Sequence, residues 1–206
     1  MTYDRLLETA TAHFGAKGFD GASTREIAAA SGTAMSSITY HFGGKEGLYL
    51  AVADHIAARI AERQAPALAA AKSAAALTRD QATQAALAMV EAFGRMMLAP
   101  ESAAWSSFIV REQQAPTAAF HRLYDGAMRA MVESFVALIA VARPDLDAQR
   151  ARMTGIFLYG QALILRVGHA SVCRVLGVDV LDAPTQAALL TRLRAHSLSV
   201  LSEKPE

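Results

Sequence analysis

Between Thr33 and Lys45 the chain reads TAMSSITYHFGGK, and hydroxyl groups dominate it. Thr33, Ser36, Ser37 and Thr39 can each donate and accept hydrogen bonds, and Tyr40 adds a phenol. Hydroxyls of this kind reach base edges and phosphate oxygens, while the side chains of Ala34 and Met35 can touch a thymine methyl. The chemistry is that of a helix laid in the major groove of duplex DNA. No Arg or Lys lies between Thr33 and Phe42, so bidentate contact to guanine is absent and readout must lean on duplex shape. Lys45 follows two glycines and opens another helical pattern, where its ammonium and the free N–H groups of a helix start suit one phosphate. Taken singly, each residue also fits a plainer role: a solvated face for Ser36, Ser37 and Thr39, a packing ring for Tyr40, a surface lysine for Lys45. The combination is more specific than its members.

A second set could hold a small molecule. Trp105, Phe108, Ile109 and Glu112 lie three or four apart, on one helical face. Phe93 and Met97 precede them; Phe157, Gln161, Leu165 and Arg166 follow on a later helix. Converging, these faces would line an apolar cavity with a few polar groups; the same stripes also serve as plain core. Glu112 and Arg166, if buried, would need partners and could pair with each other or meet a ligand; a surface salt bridge is the plainer fate of each. Catalysis has no comparable constellation. There is no E-x-x-H, H-E-x-x-H, Walker loop or G-x-S-x-G, and the six histidines are scattered. No metal, cofactor or enzymatic activity is expected. The single Cys173 reads as buried packing, with a redox thiol as the alternative.

The elements that must position these residues read as helices. Leu6, Leu7, Ala10 and Phe14 recur at helical spacing up to a stop at Gly18. Ser23 and Glu26 have the spacing of a capping box, opening a helix that buries Ile27 and Ala28 and ends at Gly32. A short helix follows to Phe42, with Ile38 and Phe42 facing inward. After Gly43 and Gly44 a long pattern runs through Leu48, Val52, Ile56 and Ile60. Further helices are predicted over 79–98, 103–114, 116–141, 148–170 and 184–202, with a loop or short extended piece over 171–182, for about nine in all. Residues 1–47 are the expected DNA-binding domain, and 48–206 the expected ligand-binding and dimerisation domain.

Composition agrees with an all-α fold. Hydrophobic residues make up 53% against 7% aromatics, Ala is frequent, and alternating β-branched runs are scarce. Charge does not point to DNA: the net is +1, and the first fifty residues carry four Lys or Arg against five carboxylates. One cysteine, no apolar leader and no stretch long enough to span a bilayer predict a cytoplasmic protein without membrane contact.

The segment STREIAAASG…SSITYHFGGKEGLY resembles the N-terminal domain of TetR-family transcriptional regulators. That resemblance implies a three-helix DNA-binding head with a helix-turn-helix, a helical C-terminal bundle and a homodimer. A palindromic operator would be read by two heads roughly 34 Å, one duplex turn, or a multiple of it apart. The DNA-binding set it implies is Thr24, Thr33, Ala34, Met35, Ser36, Ser37, Thr39, Tyr40, His41 and Lys45: bases at Thr33–Ser37, phosphates at Tyr40, His41 and Lys45. Two positions depart from the family pattern. Ala34 replaces a capping Ser, and Thr39 replaces a phosphate-binding Tyr, leaving Tyr40 that role. FIVREQQAPTAAFHRLYDG and LYGQALILRVGHASVCRVLG are similar to the TetR subgroup that includes CecR, a regulator of cefoperazone and chloramphenicol sensitivity. This implies a repressor of efflux or stress genes released by a small-molecule inducer. The rival readings are an all-helical small-molecule binder or enzyme that does not bind DNA, and a DNA-binding regulator with a solid core.

Overall fold

The computed structural model describes residues 3–71 and 74–203, and every regular element among them is helical. Two compact units share the chain. One holds the residues up to Glu62 together with Glu101–Arg129; the other holds Arg63–Pro100 and the chain from Ala130 onward. The unit around the helix-turn-helix thus reaches beyond residue 47 and takes in a later segment.

The first unit contains α1 (Tyr3–Gly21), α2 (Thr24–Ser31), α3 (Met35–Phe42), the start of α4 (Lys45–Ala71), α6 (Ser102–Gln114) and α7 (Ala118–Leu123). A π-helical turn, Tyr124–Met128, follows α7. The expected stop at Gly18 is a break within α1: its φ is 73°, a left-handed value that suits glycine. There the Arg111 guanidinium from α6 donates to the carbonyls of Gly15 (3.0 Å) and Ala16 (2.9 Å), capping oxygens that α1 leaves open. Close packing of α1 on α6 also needs Gly15, where a Cβ would lie 2.6 Å from the Ala104 carbonyl oxygen. Leu48, Val52, Ile56 and Ile60 are buried along α4, as their spacing predicts.

The second unit contains the remainder of α4, α5 (Arg79–Leu98), α8 (Arg129–Ala142, from its second residue), α9 (Ala148–Val167), α10 (His169–Leu176) and α11 (Ala183–Leu201). Helix α5 packs against α9 and α11. Gly94 permits the latter approach, since a Cβ there would come within 2.8 Å of Leu193 and 2.9 Å of Leu190. Leu87, Val90, Phe135, Leu138, Ile139 and Leu158 form the centre of this core. Thr78 and Gln81 make a reciprocal capping box; Asp147 and Asp182 cap α9 and α11. Arg143, 5% exposed, grips Asp145 with two nitrogens and donates to the Val200 carbonyl, tying the end of α8 to that of α11.

Helix α4 continues through Pro66 to Ala71. Two sequence expectations change. Pro116 precedes α7 rather than opening it, because the Thr117 hydroxyl is the cap, accepting from Ala119 N–H. Within residues 171–182, expected as a loop or short extended piece, the chain is helical as far as Leu176: α10 turns 82° from α9 and ends at Gly177 with φ 67°. Val175 on α10 is 85% exposed and Val172 is half-buried.

Candidate nucleic-acid interface

The helix-turn-helix is set by three left-handed glycines. Gly32 closes α2 at φ 71° and donates to the Ala28 and Ala29 carbonyls; Thr33 N–H also reaches Ala28 O at 2.9 Å. The chain then turns through extended Ala34 into α3, and Gly43 (φ 72°) and Gly44 (φ 121°) carry it into α4. Ala34 gives α3 no side-chain cap, as its apolar type dictates. The second cap differs from expectation. Ser23 makes no side-chain cap bond, and the Glu26 carboxylate, the other half of such a box, pairs with Lys17 of α1 at 2.7 Å instead. That hydrogen bond and charge hold the Glu26 carboxyl below its ordinary range.

Helix α3 is anchored by one side chain and presents the others. Ile38 is 1% exposed, while Tyr40 is 85% and Met35 52% exposed. Ala34, Ser36, Thr39 and His41 are exposed too; Ser37, Thr33 and Thr24 are half-buried. Tyr40 and His41 meet edge to face at 4.9 Å. Phe42 is half-buried, not core, and stacks on Tyr3 at 5.4 Å. Lys45 stands at the first residue of α4, yet its Nζ donates to the Asp20 carbonyl at 3.2 Å and lies 4.8 Å from the Phe19 ring centre. It joins α4 to the end of α1 as well as lending charge to the helix start. Arg25, exposed on the first turn of α2, is a cation that the motif reading passed over, since it lies outside α3.

The residues expected to surround a small molecule are divided between the units. In the first, Phe108 is fully buried with its ring 4.6 Å from that of Tyr49, Trp105 is buried and Ile109 half-buried. The face they share is covered by α1 and Tyr49. Glu112, 2% exposed, is no surface salt bridge: it accepts from Tyr49 OH (2.7 Å), Thr117 N–H (3.0 Å) and Thr117 Oγ1 (2.8 Å). Burial, then this hydrogen bond, raises the Tyr49 phenol well above its ordinary range. In the second unit Phe93 packs on Tyr159 at 4.9 Å, Met97 and Leu165 are buried and Gln161 is half-buried. Phe157 instead faces solvent, 72% exposed. Arg166 is no surface ion pair either, donating to the carbonyls of Met97 (2.7 Å) and Ala99 (2.8 Å). Neither of the fates weighed from the sequence, a surface salt bridge or pairing of Glu112 with Arg166, is found; each residue has local partners. Spacing gave the inward faces but not which neighbour fills them.

A short anchored helix, presented outward after a left-handed turn in an all-helical chain, defines a transcription regulator of the helix-turn-helix class. Residues 6–52 match the family described as bacterial regulatory proteins, tetR family. Residues 82–203 match the C-terminal domain of the HTH-type transcriptional dual regulator CecR. CecR of Shigella flexneri is 33% identical over 187 residues, which cover 86% of this chain and 81% of that protein. The repressor AcnR of Corynebacterium glutamicum is 44% identical over 57 residues, 28% of this chain and 30% of its own. The fold also matches FadR of Bacillus subtilis, solved in complex with stearoyl-CoA, with a TM-score of 0.63 and 14% identity over 97% of each chain. The chain belongs to the TetR family of transcriptional regulators, with a C-terminal domain of the CecR type. It is a DNA-binding regulator and not an enzyme.

Proposed function

We propose that the protein is a one-component repressor that binds a palindromic operator as a homodimer and is released by a small-molecule inducer, with efflux or stress genes as its targets. The observation that carries this reading is the outer face of α3. Ser36, Thr39 and Tyr40 are open to solvent and Ser37 is half-buried, while Ile38 is the buried residue that anchors the helix. Thr33, Ala34, Met35, Ser36 and Ser37 enter the groove; Thr39, Tyr40 and His41 follow the backbone, with Thr24 and Lys45 at the flanking helix starts. Arg25 joins them as a phosphate contact. The dimer is supported by α9, whose Met153, Ile156, Phe157, Ile164 and Val167 form an exposed apolar stripe at helical spacing. A second copy of the same stripe covers it.

Mobility-shift titration against the DNA upstream of the protein's own gene tests the reading. Tyr40→Phe removes one hydrogen bond to a charged oxygen and should weaken binding about tenfold or more. Arg25→Ala should also lower the salt slope by about one. Binding with unchanged affinity in both variants refutes the contact assignment, and a monomer bound to a single half-site refutes the dimer.

A further inference from the structure

A groove of about 490 Å³ opens on the second unit where α9, α10 and α11 meet, within the size range of small-molecule sites. Its shape comes from the bend at Gly168. There α10 leaves α9 at 82°, so two walls stand nearly at right angles and enclose a corner rather than a trough. Leu165 of α9 and Leu193 of α11 are buried at its floor, 5% and 7% exposed. Val172 and Leu176 stand on the α10 wall.

The polar groups of the groove are unengaged. Arg192 and His196 are four apart on α11, which makes them neighbours on one helical face. Gln161 of α9 and Ser171 of α10 also line it. Among the described residues none of these four side chains makes a hydrogen bond or ion pair. No carboxylate lines the groove. A guanidinium, an imidazole, an amide and a hydroxyl thus border an apolar floor with their hydrogen-bonding capacity unused.

Charge argues against a second copy as the occupant. Helices α9, α10 and α11 hold six arginines and no Asp or Glu. In a two-fold pairing each face meets its own copy, so these helices would bring further cations towards Arg192 and no carboxylate. The apolar stripe of α9 shares only Ile164 with the groove. The occupant that suits Arg192 is an anion carried on an apolar body.

We propose that this groove binds an aromatic carboxylate, with its rings on Leu165 and Leu193 against α10 and its carboxylate on Arg192, His196 lying one turn further along α11. The proposal rests on the reading of the protein as ligand-responsive and names the chemistry of the ligand. A flat ring system fills a corner better than a long chain does. A guanidinium takes a carboxylate bidentately, and its plane also stacks on an aromatic face.

The test is calorimetric titration of the full chain with naphthoate, and with naphthalenemethanol as the uncharged counterpart. Naphthoate should bind about tenfold or more tightly than the alcohol. Arg192→Gln should remove that advantage and leave the alcohol unchanged. Val172→Ala with Leu176→Ala, which strips the α10 wall but keeps the cation, should weaken both ligands. Circular dichroism melting of each variant confirms that it folds. Equal affinity for the two ligands in the native chain, or naphthoate binding unaffected by Arg192→Gln, overturns the proposal. Binding of neither ligand overturns it too, and a Val175→Glu variant that sediments as a monomer would then assign the groove to a second copy. The titration uses no DNA, so the two readings fail separately. Operator release by another molecule without naphthoate binding sinks the groove and keeps the repressor, whereas naphthoate binding without release keeps the groove and refutes induction through it.

Discussion

Replacing Glu112 by Leu is the most direct test of how the DNA-binding unit is held together. The carboxylate accepts three hydrogen bonds, from Tyr49 OH on α4 and from the amide and hydroxyl of Thr117. It stands on α6, so one side chain joins α4, α6 and the start of α7. Leucine leaves three donors without an acceptor, two of them in the cap of α7. An orphaned buried donor costs about 1–3 kcal/mol, giving a gross loss of about 3–6 kcal/mol after allowing for partial rehydration of Thr117. Relief of the carboxylate's own desolvation offsets part of this, leaving a net loss of about 2–4 kcal/mol. The single tryptophan of the chain makes the assay local. Trp105 is buried on α6 in the same unit, so its fluorescence in a urea titration follows that unit. With a slope of about 2 kcal/mol per molar urea, the midpoint should fall by about 1–2 M. Glu112→Gln keeps one acceptor and should lie between the two. A Trp105 midpoint within about 0.2 M of the native value would show that the network contributes nothing net and refute the reasoning.

Three further outcomes follow from the geometry. Gly47→Ala would drive a Cβ into the Phe42 carbonyl, forcing α3 and α4 apart; a loss of about 1–3 kcal/mol in the Trp105 transition should accompany loss of operator binding, and a native-like variant refutes it. His55 is half-buried, and desolvation, then the Arg59 charge, lowers its pKa from the ordinary 6.5. The unfolded chain therefore takes up this proton first as pH falls, so its contribution is complete above about 6.5 and is lost on acidification through the folded value. The Trp105 midpoint of the native chain should accordingly drop more between pH 7.5 and 5.5 than that of His55→Gln. Tyr159 buries its hydroxyl without a partner, and burial raises its pKa; Tyr159→Phe should leave stability equal or raise it by about 1 kcal/mol, read by circular dichroism melting, whereas a loss of that size would reveal a bound partner.

The helices were legible where glycine and apolar spacing agree. Gly32 and Gly43 mark the turn flanking α3 because only their left-handed backbone closes one helix and frees the next. Ile38 was legible as the anchor from helical spacing, whereas Phe42, read inward by the same spacing, is half-buried against Tyr3. What escaped the sequence were choices among competing partners. Ser23 and Glu26 have capping-box spacing, but a lysine on another helix takes the carboxylate. Trp105 and Phe108 face inward as read, yet it is α1 and Tyr49 that cover them, and spacing within one helix carries no information on its neighbour. Residues 171–182 read as a loop or short extended piece, yet a helix bounded by Gly168 and the left-handed Gly177 takes their first half.

Because α6 and α7 belong with α1, the reading head is written in two separated stretches of the gene. A fragment ending at Glu62 would lack Arg111, which closes the carbonyls beside Gly18, and Glu112, which holds Tyr49. Grafting this operator specificity onto another regulator by a single crossover would therefore transplant an incomplete module. A working chimera must carry residues 101–129 along with the amino-terminal helices.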